Sequence, residues 1–212
     1  MPPARMVSLF GFLAGLMAVF MATISFSTGV TQEYFEHSHP VKEYVAKLHS
    51  QSDMLKTLLT LDNFFLLFYG GFFLWYIVER QGKADSWLLA AMGLCMFLTM
   101  TLDAAENFHI LGMLKGAENM IMPSDGQIGL QYILSAVKFM LAYFGVIILG
   151  VTYPRDTALA RLVGTSTAIV FPILGVLGFT VPAPWSLICG IGRSLFFVLG
   201  FILSGVVYLN RR

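Results

Sequence analysis

The stretch SWLLAAMGLCMFLTMTLDAAENFHIL, residues 86–111, decides the fold class of this protein. Residues 86–102 contain no charged side chain, and about 20 predominantly apolar residues are enough for an α-helix to cross the hydrocarbon core of a bilayer. The last turns of the same predicted helix carry Asp103, Glu106 and His109. We therefore expect lipid around most of this helix and a polar neighbour near its end.

The composition of the whole chain agrees with a membrane location. The 212 residues are 57% hydrophobic and only 12% charged, with a mean hydropathy of +0.76, whereas about 25% of residues are charged in a typical soluble domain. A surface this apolar needs lipid to cover it, so the bilayer is the first predicted partner. The net charge of +1 lacks the strongly positive field of a nucleic-acid-binding protein, and we exclude that class.

Six segments are long and apolar enough to span a membrane as helices. We predict an all-α, single-domain integral membrane protein over residues 1–212, a six-transmembrane-helix bundle with a short external amphipathic helix. The predicted spans are residues 7–27, 54–78, 86–111, 127–152, 161–181 and 185–208.

The orientation follows from the basic residues of the connecting loops, because cytoplasmic loops carry an excess of Lys and Arg. One set of loops contains Arg5, Arg80, Lys83, Arg155, Arg161, Arg211 and Arg212. The other set contains Lys42, Lys47, Lys56 and Lys115. The larger set belongs to the side with both chain termini, so we predict a multi-pass membrane protein with cytoplasmic N and C termini.

The predicted external amphipathic helix covers residues 40–49. Val41, Tyr44 and Leu48 recur at helical spacing, opposite Lys42 and Lys47. A helix of this kind lies on the membrane interface or covers what the spans enclose.

Ionisable residues recur inside the spans at one depth. With a rise of 1.5 Å per residue, Asp62, Lys138 and Arg193 lie about 12 to 16 Å from the outer ends of their helices. Asp103 and Glu106, in the last turns of the third span, reach a similar depth. The sequence therefore predicts that these side chains meet in the outer half of the membrane.

Further polar residues share the helix faces of these charges, because positions three or four apart lie on one face. Tyr69 shares a face with Asp62, and Gln131 and Ser135 share a face with Lys138. A charge at mid-bilayer costs at least about 2.5 to 3.5 kcal/mol, so such residues face the interior. We predict an outward-facing ligand- or ion-binding pocket lined by Asp62, Tyr69, Asp103, Glu106, Gln131, Ser135, Lys138 and Arg193.

The charges of this pocket do not balance. Three carboxylates face two cations, so one negative charge is left, and the pocket is expected either to hold a proton or to bind a cation. We expect Lys138 to pair with Asp62, or as second choice with Asp103 or Glu106, and Arg193 to pair with Asp103 or Glu106. The alternative is that these ion pairs only hold the helices together.

The sequence gives little indication of a metal site. His37 and His39 form an H-x-H pair, and Asp103, Glu106 and His109 have metal-ligating side chains, but they complete no closed ligand set. We therefore predict no metal site and interpret His109 as an interfacial imidazole. The residues specify no cofactor.

Three functional hypotheses follow from these patterns. The first is a protein that binds or transports a small ion, a proton or a polar ligand in the intramembrane pocket. The second is an accessory subunit of a larger membrane complex or a homo-oligomer. The third is an intramembrane enzyme that acts on a lipid or quinone-like substrate, with Asp103 or Glu106 as the general acid or base.

The predicted topology is testable by cysteine labelling. Cysteines placed at Ser50 and at Ala84 should react with a membrane-impermeant maleimide from opposite sides, and Ser50 should react from outside, because an odd number of spans separates the two positions. Labelling of both positions from one side would contradict the topology and the common depth of the charged residues.

Overall fold

A computed structural model of the protein describes residues 1–182 and 184–211, with all their side chains except those of residues 179, 186 and 187. Within these residues the chain forms six α-helices and one short 3₁₀ helix, Gln32–Glu36. The α-helices are α1 (Pro3–Thr28), α2 (Val41–Arg80), α3 (Ser86–Glu118), α4 (Asp125–Thr152), α5 (Ala158–Thr180) and α6 (Trp185–Leu209).

The predicted six-helix membrane bundle is confirmed. Each of the six described α-helices is long and apolar enough to cross a membrane. Large apolar side chains are exposed on the outside of the bundle, for example Leu67, Phe97, Phe144 and Leu195. Exposed aliphatic and aromatic surface on this scale requires a hydrocarbon environment.

The helices form a closed ring. Each α-helix packs against its neighbours in sequence, and α6 returns to pack against α1. At one end of the ring, Ser8 at the start of α1 donates a hydrogen bond to the Gly205 carbonyl near the end of α6 (2.8 Å). We call this end, which carries both chain termini, the termini end. The opposite end carries the 3₁₀ helix, and we call it the 3₁₀ end.

The amphipathic segment 40–49 differs from the prediction in one respect, because its residues form the first turns of α2 rather than a separate helix. The segment 41–80 contains no proline that would interrupt it. Its apolar residues Tyr44 and Leu48 are fully buried, and they belong to a core that includes Phe35 and residues of α3. The apolar face therefore packs against protein.

Aromatic rings fill the middle of the bundle. Phe65 and Phe72 of α2 contact Phe201 of α6, with ring centroids 5.8 and 5.2 Å apart and planes nearly perpendicular. Phe197 packs against Phe65 at 5.2 Å. Perpendicular aromatic pairs of this kind add about 0.5 to 1.5 kcal/mol beyond the area that they bury. We call Phe65, Phe72, Phe197 and Phe201 the aromatic core.

The contact between α4 and α5 depends on Gly150, which lies against the backbone of the next helix. A methyl group at Gly150 would overlap the Gly164 carbonyl oxygen and lie 2.6 Å from the Ala168 backbone nitrogen. Gly129, on the same helix, has no atom within 4 Å of the corresponding position. The two glycines therefore form a matched pair for substitution.

We expect Gly150→Ala to destabilise the bundle by about 1 to 3 kcal/mol, because backbone atoms cannot move aside as a flexible side chain does. Gly129→Ala should leave stability unchanged or raise it by up to about 1 kcal/mol through helix propensity. Unfolding by a denaturing detergent in mixed micelles measures both. Equal effects of the two substitutions would contradict the close approach of α4 and α5.

Candidate functional site

Lys138 of α4 is the centre of the candidate site. The residue is only 5% exposed. Its Nζ atom lies 2.6 Å from Glu106 Oε2, 3.0 Å from Asp103 Oδ1 and 3.6 Å from Glu36 Oε1. The same atom lies 4.7 Å from the centroid of the Phe139 ring, within the range of a cation–π interaction. The ammonium group is therefore enclosed by three carboxylates and an aromatic face.

The two carboxylates of α3 are fixed by hydroxyl groups as well as by Lys138. Tyr69 of α2 donates a hydrogen bond to Asp103 Oδ2 (3.1 Å), and Ser135 of α4 donates one to Glu106 Oε1 (3.0 Å). Asp103 and Glu106 are three residues apart and share one helix face, as the spacing predicts. Each carboxylate thus bridges α3 to a neighbouring helix.

Glu36 is a site residue that the sequence analysis missed. It belongs to the 3₁₀ helix and is 6% exposed, beside the fully buried Phe35. The Phe35 ring packs edge-on against the Tyr44 ring at 5.3 Å, and the Tyr44 hydroxyl lies 3.4 Å from the Phe35 carbonyl oxygen. These contacts hold Glu36 over Lys138. One 3₁₀ turn is too short to show a periodic pattern, so the only signal was an apolar residue beside an acidic one.

Asp62 does not pair with Lys138, so the predicted first choice was wrong. Among the described residues Asp62 forms no ion pair with Lys138 and instead accepts a hydrogen bond from Asn107 Nδ2 (2.7 Å). Asn107 also donates to Asn63 Oδ1 (3.2 Å) and accepts from Gln32 Nε2 (2.9 Å). The reason is that α3 has two neighbours in the ring. Glu106 faces α4, while Asn107, about 100° round the helix, faces α2.

Arg193 also has a different partner from the predicted one. Its Nη2 atom lies 3.0 Å from Glu33 Oε1 of the 3₁₀ helix, whereas Asp103 and Glu106 pair with Lys138. The guanidinium carbon lies 4.9 Å from the centroid of the Phe139 ring, which Lys138 also contacts. Arg193 therefore attaches the 3₁₀ helix to α6, because the chain between α1 and α2 folds back over the ring and supplies a nearer carboxylate.

Gln131 connects the site to the surface at the 3₁₀ end. Its side chain is fully buried, and its Oε1 atom lies 2.9 Å from Nδ1 of the half-buried His109. Ser135 donates a second hydrogen bond to the Gln131 carbonyl (3.0 Å). The Gln131 Nε2 atom is buried without a hydrogen-bond partner among the described residues. His109 thus lies at the outer end of a polar contact chain that reaches Glu106.

The structure brings together the predicted pocket residues except Arg193, which lies beside the cluster, next to Phe139 and the 3₁₀ helix. We call Glu36, Asp62, Asp103, Glu106 and Lys138 the acidic cluster. Its members are between 0 and 8% exposed, so in this conformation the predicted outward-facing pocket is enclosed.

The acidic cluster has a large formal imbalance of charge. Among the described residues it contains four carboxylates and one ammonium group, a formal charge of −3 if all are ionised. The nearby pair Arg193–Glu33 adds no net charge. Each buried ion loses hydration worth several kcal/mol, which attraction within the cluster must offset. An arrangement of this kind can accept protons.

Metal ligation has no geometric support in the described residues. They contain no group of three or more His, Cys, Asp or Glu residues placed to hold a metal ion. The cluster carboxylates converge on the Lys138 ammonium, and His39 lies apart from them, stacked on Tyr34 with its Nε2 atom 3.1 Å from the Tyr34 carbonyl oxygen.

The acidic cluster has different surroundings at its two ends. Towards the 3₁₀ end it meets the half-buried polar residues Gln32 and His109. Towards the middle of the bundle, Tyr69 packs against Phe65 and Phe73 with ring centroids 5.0 and 6.3 Å apart. Exchange of protons or ions with water is therefore easier from the 3₁₀ end.

Comparison of the chain with protein-family models, curated proteins and solved structures finds no match. The fold and the site alone therefore define the class, which is a multi-pass helical membrane protein with a buried acidic cluster.

We expect Lys138→Met to lower the free energy of unfolding by about 3 to 5 kcal/mol, because it leaves buried carboxylates without their cation. Adding Glu106→Gln should restore more stability than adding Asp62→Asn, since Glu106 contacts Lys138 and Asp62 does not. Unfolding in mixed micelles measures the stability of the wild type, of Lys138→Met and of the two double variants.

Lys56→Met is the matched control, because Lys56 pairs with Glu118, both side chains are exposed, and such pairs contribute little. Equal rescue by Glu106→Gln and Asp62→Asn would contradict the observed pairing.

Proposed function

We propose that this protein binds protons in its acidic cluster from the 3₁₀ end, and that proton binding is coupled to the binding or transport of a small ion or polar ligand. The observation that carries the proposal is the burial of four carboxylates around the single ammonium group of Lys138. An intramembrane ionisable residue generally indicates a functional site, and here several occupy one enclosed space.

The charge imbalance favours proton binding over simple helix pairing. One cation and one carboxylate are enough to hold two helices together. The Lys138 ammonium has three carboxylates within 4 Å. A second and third buried carboxylate repel each other and the first. Protons relieve this repulsion at low cost, because carboxylic acid groups remain hydrogen-bonded to Tyr69, Ser135 and Asn107 when they become neutral.

The contacts of the 3₁₀ helix support access from that end. Glu36 makes the longest of the three Lys138 contacts, at 3.6 Å, and the Glu33–Arg193 pair is partly exposed, with the Glu33 side chain 50% accessible. These are the weakest polar contacts around the cluster, since exposure to solvent screens an ion pair. Movement of the 3₁₀ helix would therefore open the cluster.

Infrared difference spectroscopy tests proton binding directly. Purified protein taken from high to low pH should show a new carboxylic acid carbonyl band, because protonation converts a carboxylate, which lacks this band, into a carboxylic acid. We expect Glu106→Gln or Asp103→Asn to remove or shift part of this band.

Glu118→Gln is the control, since Glu118 lies at the same end of the bundle in an exposed pair with Lys56. If neither cluster variant changes the band while both remain folded, the cluster serves only to hold the helices together.

A further inference from the structure

A second buried polar group lies at the termini end, on the other side of the aromatic core. Tyr76 of α2, Tyr153 directly after α4 and Tyr208 of α6 are between 0 and 2% exposed. Their ring centroids are 5.9 to 6.1 Å apart. We call these three residues the tyrosine cluster. The cluster brings the ends of α2, α4 and α6 together at the termini end.

The tyrosine cluster contains buried hydroxyl groups that lack a hydrogen-bond partner among the described residues. The Tyr76 hydroxyl lies 3.2 Å from the Leu149 carbonyl oxygen and 3.0 Å from Thr152 Oγ1. The Tyr153 and Tyr208 hydroxyls are buried and have no hydrogen-bond partner among the described residues. A buried tyrosine hydroxyl normally finds an acceptor, and its absence costs about 1 to 3 kcal/mol. The fold therefore provides a donor for which the described chain supplies no acceptor.

Three arginines closely follow the three tyrosines in the sequence. Arg80 follows the α2 tyrosine by one helical turn, Arg155 closely follows the tyrosine after α4, and Arg211 follows the α6 tyrosine. The Arg211 guanidinium carbon lies 5.4 Å from the centroid of the Tyr208 ring. All three arginines therefore lie at the same end of the bundle as the tyrosine cluster. We call these arginines the arginine cluster.

The arginine cluster is only partly neutralised by the described residues. Arg211 pairs with Asp156, whose side chain is 58% exposed. Arg155 donates its hydrogen bonds to backbone carbonyl groups and a threonine hydroxyl. Arg80 donates to the Lys83 carbonyl (3.2 Å), and its Nε atom is buried without a partner among the described residues. Donors and positive charge are therefore in excess at this position.

We propose that Arg80, Arg155, Arg211 and the Tyr208 hydroxyl bind a phosphate group, supplied by the headgroup of an anionic lipid. Guanidinium groups match the oxygen atoms of a phosphate in charge and geometry. To bind the phosphate, the Arg80 side chain exchanges the Lys83 carbonyl for a phosphate oxygen. The same phosphate then accepts a hydrogen bond from the Tyr208 hydroxyl.

The position in the bundle favours a lipid as the source of the phosphate. The helices that carry the site end at the membrane surface, where lipid headgroups lie. Beside the site, Val151 and Leu209 are exposed by 57 and 58%, and Val78 by 37%. These side chains offer an apolar surface to acyl chains next to the basic groups. The proposal does not depend on proton binding, because the acidic cluster lies at the other end of the bundle.

The test is a titration of the full chain in detergent with phosphatidylglycerol, phosphatidylcholine or inorganic phosphate, followed by thermal unfolding. We expect phosphatidylglycerol to raise the unfolding temperature of the wild type and phosphatidylcholine to have little effect. Arg80→Gln and Tyr208→Phe should each weaken the apparent affinity about tenfold, the usual result of losing a hydrogen bond to a charged group. Tyr208→Phe retains the ring contacts and should fold.

Lys83→Gln is the matched control, because it removes a positive charge at the same end but outside the arginine cluster. It should retain the affinity of the wild type. If inorganic phosphate reproduces the shift with the same dependence on Arg80 and Tyr208, the phosphate site is supported and its ligand is free phosphate. The proposal is overturned if no probe stabilises the wild type, or if Lys83→Gln weakens binding as much as Arg80→Gln.

Discussion

The ammonium group of Lys138 lies inside a bundle whose outer surface is apolar, and its neutralisation constrains the surrounding structure. Asp103 and Glu106 turn one face of α3 towards α4, and Glu36 brings the 3₁₀ helix over the end of the ring. Tyr69 and Ser135 then hold the carboxylates in place. Removing any one of these groups would leave a buried charge or polar atom without a partner, and this dependence makes the site a cooperative unit.

Along its axis the bundle separates two polar regions of opposite charge. The acidic cluster lies towards the 3₁₀ end, the arginine cluster lies at the termini end, and aromatic side chains fill the space between them. The packed rings of the aromatic core place a region of low dielectric constant between the two charge distributions. Transport across the membrane would require the rings of Phe65, Phe72 and Phe201 to move apart, whereas binding at either end would not.

The spans could be predicted from the sequence because hydropathy is a local property and each helix satisfies its own backbone hydrogen bonds. The same local character explains the position of Asp103, Glu106 and Ser135, since spacing along one helix fixes which residues share a face. The amphipathic segment 40–49 was recognised for the same reason. Its continuity with α2 was not, because an apolar face packs equally well against lipid or against protein.

The sequence by itself therefore determined the membrane class, the helices and the ionisable residues of the spans that face the interior. Only the tertiary structure decided which of these residues meet. Asp62 pairs with Asn107 and not with Lys138 because α3 presents different faces to α2 and α4 within the ring. Glu36 reaches Lys138 because the chain after α1 folds back over the bundle. Both outcomes depend on the packing of segments far apart in sequence, for which helical periodicity carries no signal.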